Sequence, residues 1–361
     1  MEGNEGEDDM AMMKAGVVHA PFDIRCEEIE KPSPKAGEIL IQVKYTGICG
    51  SDIPRVNGTA SHFYPNVLGH EFSGVVAELG EGVTEFNVGD RVSGIPLLPC
   101  MECEDCQRGN YSLCKHYKFI GSSRFGSFAE YVAVPARNAV KFNEGVEFKH
   151  AAFFEPATVA LHGLLRVPYR GGKKVAILGA GNIGMLTMQW AKIFGAATLC
   201  VFDIVPEKLE EAKRLGATHA INTLEKDYLD QAKAITGGAG FDFVYETAGN
   251  TITMRMAFEL AANKANVCFI GTPTKELTFS VKEWENINRK EFNLTGSWMS
   301  YSAPFPGEEW KLAAHYMGTG DLKIEDSFIY QIVPLTRIAD AFEEFKTPGQ
   351  VKGKILIDSE R

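Results

Sequence analysis

The chain has 361 residues, 45% of them hydrophobic and 23% charged, which fits a globular protein of two domains better than one. Its formal net charge is −10, and Glu2, Glu5, Glu7, Asp8 and Asp9 contribute to it before the first apolar pattern begins, so the body is mildly acidic. No basic stripe suits a nucleic acid, and the most apolar stretch, Val175 to Val201, is broken by Gly179, Asn182 and Lys192, so no segment reads as membrane-spanning. Residues 1–13 lack the positive start and apolar run of a signal peptide. They read as a disordered acidic extension, and the expected location is cytoplasmic.

From Lys14 to about Thr46 the text is strand-like, with Pro32 and Pro34 marking a loop before the β-branched run Ile39 to Tyr45. Val75 to Leu79 and Arg91-Val92 continue the short strands, punctuated by Gly80, Gly82 and Gly89-Asp90, which predicts an antiparallel, barrel-like β unit. Between them, Cys49 to Glu71 gathers a thiol, the imidazole of His70 and two acids, Asp52 and Glu71, framed by Gly47, Gly50 and Gly69. Cys and His together suit zinc, and a catalytic zinc takes three protein ligands and leaves one position for substrate. The competing reading is a buried free cysteine beside a hydrogen-bonded core histidine.

Next comes Cys100-x-x-Cys103-x-x-Cys106-x7-Cys114, in a polar stretch too poor in apolar residues to hold its own shape. Four thiolates would close a tetrahedral structural zinc site. An iron–sulfur cluster is the alternative, and the long last spacing and the absence of Pro after Cys114 count against it. Glu155-Pro156 follows in a helix-like apolar passage, where a carboxylate needs a partner. It is a candidate third ligand for the open metal site, the alternative being a surface acid that begins a helix.

At Lys173 the texture changes to alternating strands and helices. Lys174 to Leu178 is an apolar strand, followed at once by Gly179-Ala180-Gly181-Asn182-Ile183-Gly184 and a helix to Phe194, the setting in which G-x-G-x-x-G binds a dinucleotide pyrophosphate. The next strand ends in Asp203, placed to accept hydrogen bonds from a ribose diol; this favours NAD, against a weak opposing signal from Lys208. Further strands at Phe241 to Glu246, Asn266 to Ile270 and Phe292 to Thr295 complete a doubly wound parallel sheet. The helix Leu335 to Phe345 and strand Lys354 to Ile357 are expected to return to the first domain. The fold class is therefore α/β.

Taken together, Gly47 to Asp52, Gly69-His70-Glu71, Val88 to Val92, the four cysteines, Glu155-Pro156 and Gly179 to Gly184 resemble the zinc-dependent medium-chain dehydrogenases. The resemblance implies a GroES-like β-barrel catalytic domain over 14–156 and 297–361, and a Rossmann NAD-binding domain over 157–296. It implies Cys49, His70 and Glu155 around a catalytic zinc, Glu71 close by, Ser51 as proton acceptor, a second, structural zinc on Cys100, Cys103, Cys106 and Cys114, and a homo-oligomer, dimer or tetramer. Glu155-Pro in place of a cysteine resembles the polyol branch. His62 to Pro65, Pro96 to Cys100, Phe119 to Arg124 and Gly296 to Met299 resemble members acting on a polyol phosphate, which implies oxidation of galactitol 1-phosphate to tagatose 6-phosphate with NAD. Where many members carry a His three residues after Ser51, Pro54 stands here, so the onward proton path has no assigned residue. Arg124, preceded by small residues, is the first candidate for the substrate phosphate, ahead of Arg55 and Lys118.

Overall fold

A computed structural model describes residues 11–60, 63–347 and 349–361, and it resolves into two compact units. The first holds the described residues up to Cys103, Lys115–Phe153 and Ile329–Arg361; the second holds Glu104–Cys114 and Phe154–Phe328.

The first unit is built on the strand Glu38–Gly47. Its alternating Ile39, Ile41 and Val43 enter one core with Phe72, Val76, Val92, Ile120, Val132 and Val134. Glu71–Leu79 and Tyr131–Pro135 pair with it antiparallel. So does the C-terminal strand Lys354–Asp358, which sets Leu356 opposite Gly47 and brings the end of the chain back to the segment that leads into Cys49. A smaller sheet, ordered Asp23–Glu30, Met12–Ala20, Asn66–Val67, covers a second core containing Val17, Ile48, Phe128, Ile338 and Ile355. Its middle strand starts at Met12, inside the stretch read as an extension, because Met12 and Met13 pair with Glu30 and Ile29 and Met13 is buried. The rest of that stretch, residues 1–10, lies outside the described residues, as does His62.

The second unit is a six-stranded, wholly parallel sheet. Its order is His219–Asn222, Thr198–Asp203, Lys174–Leu178, Phe241–Glu246, Ala261–Phe269, Asn293–Gly296. The order in which the chain adds strands reverses beside Lys174–Leu178, which makes the carboxyl ends of Lys174–Leu178 and Phe241–Glu246 the switch point where such sheets bind ligands. The near-continuous apolar strands pack against flanking helices through Ala176, Leu178, Phe202, Val244, Phe258 and Val267. Among the described residues no helix is long and apolar enough to cross a membrane.

Candidate active site and metal centres

The first site forms where Glu38–Gly47 runs out. Ile48 still donates to the Ile355 carbonyl at 2.9 Å, and the chain then turns through Cys49 into the short helix Asp52–Val56. Asp52 organises that turn. Fully buried, it accepts the Cys49 N–H on Oδ2 at 3.0 Å and directs Oδ1 at His70 Nδ1, 3.5 Å away. His70 arrives from a turn that only glycine permits: Gly69 has φ +91°, and a Cβ there would lie 2.8 Å from the Phe128 nitrogen. The imidazole is wedged edge-on against Phe119, and donor atoms of Cys49, His70 and Glu71 lie within 4.8 Å of one another.

Burial pulls the His70 imidazole down, but the charges of Asp52 and Cys49 and their hydrogen bonds outweigh it and raise its pKa well above the ordinary value. The same neighbouring charges would favour a cation in this pocket. Thiolate and imidazole donors, with a carboxylate behind the histidine to fix its tautomer, fit zinc. Glu71 is buried and ion-paired to Lys354, whose Nζ lies 2.8 Å from Oε1 and 2.6 Å from Oε2 and 3.2 Å from the Ile48 carbonyl. Glu71 is thus within reach of the Cys49 and His70 donor atoms while Lys354 offsets its charge.

The four cysteines at 100, 103, 106 and 114 place their sulfurs within 4.8 Å of one another, and none is in a disulfide. Cys106 and Cys114 are buried, and the Cys103 N–H donates to Cys100 Sγ at 3.4 Å. Four converging thiols with no open position fit a structural zinc.

In the second unit, Gly179 (φ +98°) turns the chain from its strand into the helix Asn182–Ile193, with Ile183 in the first turn. A Cβ on Gly184 would lie 1.8 Å from the Gly179 carbonyl oxygen, so the close turn requires glycine at both ends. Asp203 Oδ2 accepts the Ala180 N–H at 2.6 Å and Oδ1 accepts those of Ile204 and Val205, which fixes the carboxylate beside the glycine turn. Lys208 lies in the first turns of the helix Pro206–Leu215. Glu155 lies in the first turn of the helix Phe154–Leu165, half-buried.

Residues 35–144 match the family described as alcohol dehydrogenase GroES-like domain, and residues 182–315 the family described as zinc-binding dehydrogenase. Galactitol 1-phosphate 5-dehydrogenase of Escherichia coli K12 is 38% identical over 353 residues, covering 96% of this chain and 99% of that protein. The chain is a zinc-binding medium-chain dehydrogenase. The crystal structure of galactitol-1-phosphate dehydrogenase from Escherichia coli superposes with a TM-score of 0.90 at 35% identity, covering 96% of this chain and all of that one. Sorbitol dehydrogenase of Bacillus subtilis is 36% identical over 268 residues, 73% of this chain and 76% of its own. The GroES-like unit and the Rossmann sheet read from the sequence are thereby established, as is a zinc-dependent oxidoreductase that works on a CH–OH group with a nicotinamide dinucleotide.

Arg124 is engaged within the β unit. Arg124 donates through Nη2 to Glu38 Oε1 at 2.9 Å and to the Ala133 carbonyl at 2.8 Å. Glu38 begins the ten-residue strand that ends at Gly47, whereas the metal site forms at its other end. At roughly 3.3 Å per residue the two ends are far apart for one small substrate. Arg124 thus braces the β unit through its guanidinium, and the small residues before it pack closely, since a Cβ on Gly121 would lie 2.4 Å from the Gly69 carbonyl oxygen.

Lys354, His162, Glu309 and Ser302 do not stand out in the sequence. Lys354 reaches Glu71 across 283 positions through strand pairing, which no local pattern reveals. His162 Nδ1 lies 2.7 Å from Oε1 of the fully buried Glu309, whose Oε2 accepts the Ser302 hydroxyl at 2.6 Å. This braces the helix that carries Glu155. The spacing of Glu155 and His162, two turns apart on one helix face, was the available signal.

Proposed function

We propose that this enzyme oxidises a secondary hydroxyl of a polyol phosphate with NAD, converting galactitol 1-phosphate to tagatose 6-phosphate. The similarity at 38% identity along nearly the whole of both chains carries the reading, because it spans the metal site and the cofactor unit together. Cys49, His70 and Glu155 would hold the catalytic zinc, and Cys100, Cys103, Cys106 and Cys114 the structural one. When bound, the catalytic zinc supplies the Lewis acidity that makes the substrate hydroxyl easier to deprotonate, and NAD supplies the hydride acceptor.

The remaining work belongs to the chain. Ser51, exposed at the helix start and two residues from Cys49, offers Oγ to take the hydroxyl proton while its own hydroxyl proton passes on to solvent. Asp52 faces His70 Nδ1, which would leave Nε2 to hold the zinc, and Lys354 offsets the Glu71 charge so that the buried site does not accumulate unpaired carboxylates. Asp203, beside the glycine turn, favours a free ribose diol over a 2′-phosphate, whose charge it would repel. We place the enzyme in the cytoplasm.

Sorbitol, butanediol and L-threonine are the alternative substrates on the same scaffold, and the similarity to a sorbitol dehydrogenase favours the first of these. The test is a panel of polyols and their phosphates assayed with NAD and NADP. Preference for the phosphorylated hexitol and for NAD is the expected outcome; preference for a free polyol would replace the substrate, and preference for NADP would overturn the role of Asp203.

A further inference from the structure

We propose that Arg55 is the anion contact of the substrate site, with a phosphate monoester as its ligand; this rests on the polyol-phosphate reading above. Arg55 follows Ser51 by four residues, so the two share one face of the turn that leads from Cys49. Nη1 lies against Ser51 and 3.9 Å from Asp52 Oδ1, and Asp52 itself accepts the Cys49 N–H, so the guanidinium is on the side of the turn that carries Cys49.

Nη1 donates to the Ser51 carbonyl at 3.0 Å and lies 3.2 Å from Ser51 Oγ, while the Tyr64 hydroxyl donates to the Arg55 carbonyl at 2.7 Å and fixes the backbone. The side chain is therefore held next to the expected proton acceptor and keeps 23% of its surface open. Nε and Nη2 make no hydrogen bond to a described residue. They form a planar pair of donors of the kind that binds phosphate oxygens in a fork.

The charge is also available. The carboxylate within ion-pair range is that of Asp52, at 3.9 Å, and it is already shared between the Cys49 N–H and His70. Arg124, by contrast, has Glu38 and a carbonyl as its own partners. Nor can Arg55 replace the histidine missing at Pro54, because a guanidinium stays protonated and accepts no proton. What it can do beside Ser51 is hold an anion.

The test compares wild type, Arg55→Gln and Arg55→Lys, all zinc-loaded, on galactitol 1-phosphate and on free galactitol or sorbitol. The readout is the ratio of kcat/KM for the phosphorylated over the free polyol, which is insensitive to any loss common to both. That ratio is expected to fall roughly tenfold or more in Arg55→Gln and to recover in part in Arg55→Lys. Inorganic phosphate should raise the Tm of wild type and have a much smaller effect on Arg55→Gln. An Arg55→Gln enzyme that loses rate equally on both substrates and keeps the phosphate-induced shift overturns the inference and leaves Arg55 as a prop for Ser51. If wild type itself does not prefer the phosphorylated polyol, the substrate reading fails and takes this inference with it; if wild type prefers it and Arg55→Gln does too, the inference about Arg55 fails alone.

Discussion

Asp52 has no exposed surface, yet it carries no partner of unambiguous opposite charge closer than His70. Its value lies in orienting the imidazole, and removing its charge while keeping its shape isolates that contribution. Asp52→Asn is expected to weaken zinc at the catalytic site roughly 10–100-fold while the cysteine site keeps its metal. Competition with a chromophoric chelator measures this, and unchanged affinity would remove Asp52 from the site. Arg124 behaves differently. Arg124→Ala leaves the largely buried Glu38 without its partner and should cost about 1–3 kcal/mol in urea unfolding, with the substrate ratio preserved. A selective loss of the phosphorylated substrate would restore Arg124 as the phosphate contact. Cys49 and His70 were legible because ligand chemistry, flanking glycines and spacing coincide within a short stretch. Lys354 and the Arg124 brace were not, since both depend on strands that meet only after folding.

Glu246 ends the fourth strand of the parallel sheet and shows how an element can bear a cost for its geometry. Burial raises its carboxyl above the usual range, against the Thr253, Gly249 and Ala248 hydrogen bonds that pull it down and order the loop beside the glycine turn. The folded state then retains a proton that the unfolded chain releases, so this group's contribution to stability falls as pH rises from the ordinary carboxylate range through the raised one. Glu246→Gln should flatten that part of the stability profile, read by urea unfolding between about pH 4 and pH 8. Parallel slopes in the two proteins would contradict the assignment.

The glycine turn gives a second element-level test. Gly184→Ala sets a methyl 1.8 Å from the Gly179 oxygen and 2.8 Å from Thr247 Oγ1. For strain of roughly 1–3 kcal/mol, NADH binding should weaken about tenfold or more with zinc content unchanged. The Rossmann elements were readable because each helix and strand announces itself in its own period, with helix Asn182–Ile193 ending one residue short of the expected Phe194. The first strand begins ahead of its own sequence signal, because Met12 and Met13 follow an acidic run and take their order from pairing with Asp23–Glu30.

At the scale of the molecule, two metal sites of different composition should differ in lability. Four thiolates leave no position for an incoming ligand, whereas mixed ligands with an open position exchange readily. Elemental analysis of fresh protein should find about two zinc ions per chain, and mild chelation should remove activity before the fold is lost. One zinc, or iron with visible absorbance, would contradict the pairing of sites. The most direct test of the whole reading is the initial rate of NADH formation from galactitol 1-phosphate against that from free galactitol and sorbitol under the same conditions. A kcat/KM for the phosphorylated substrate roughly tenfold or more above the others is the expected result, in line with one charged hydrogen-bonding contact. An equal or lower value for galactitol 1-phosphate, in zinc-replete enzyme that turns over a free polyol, would contradict it.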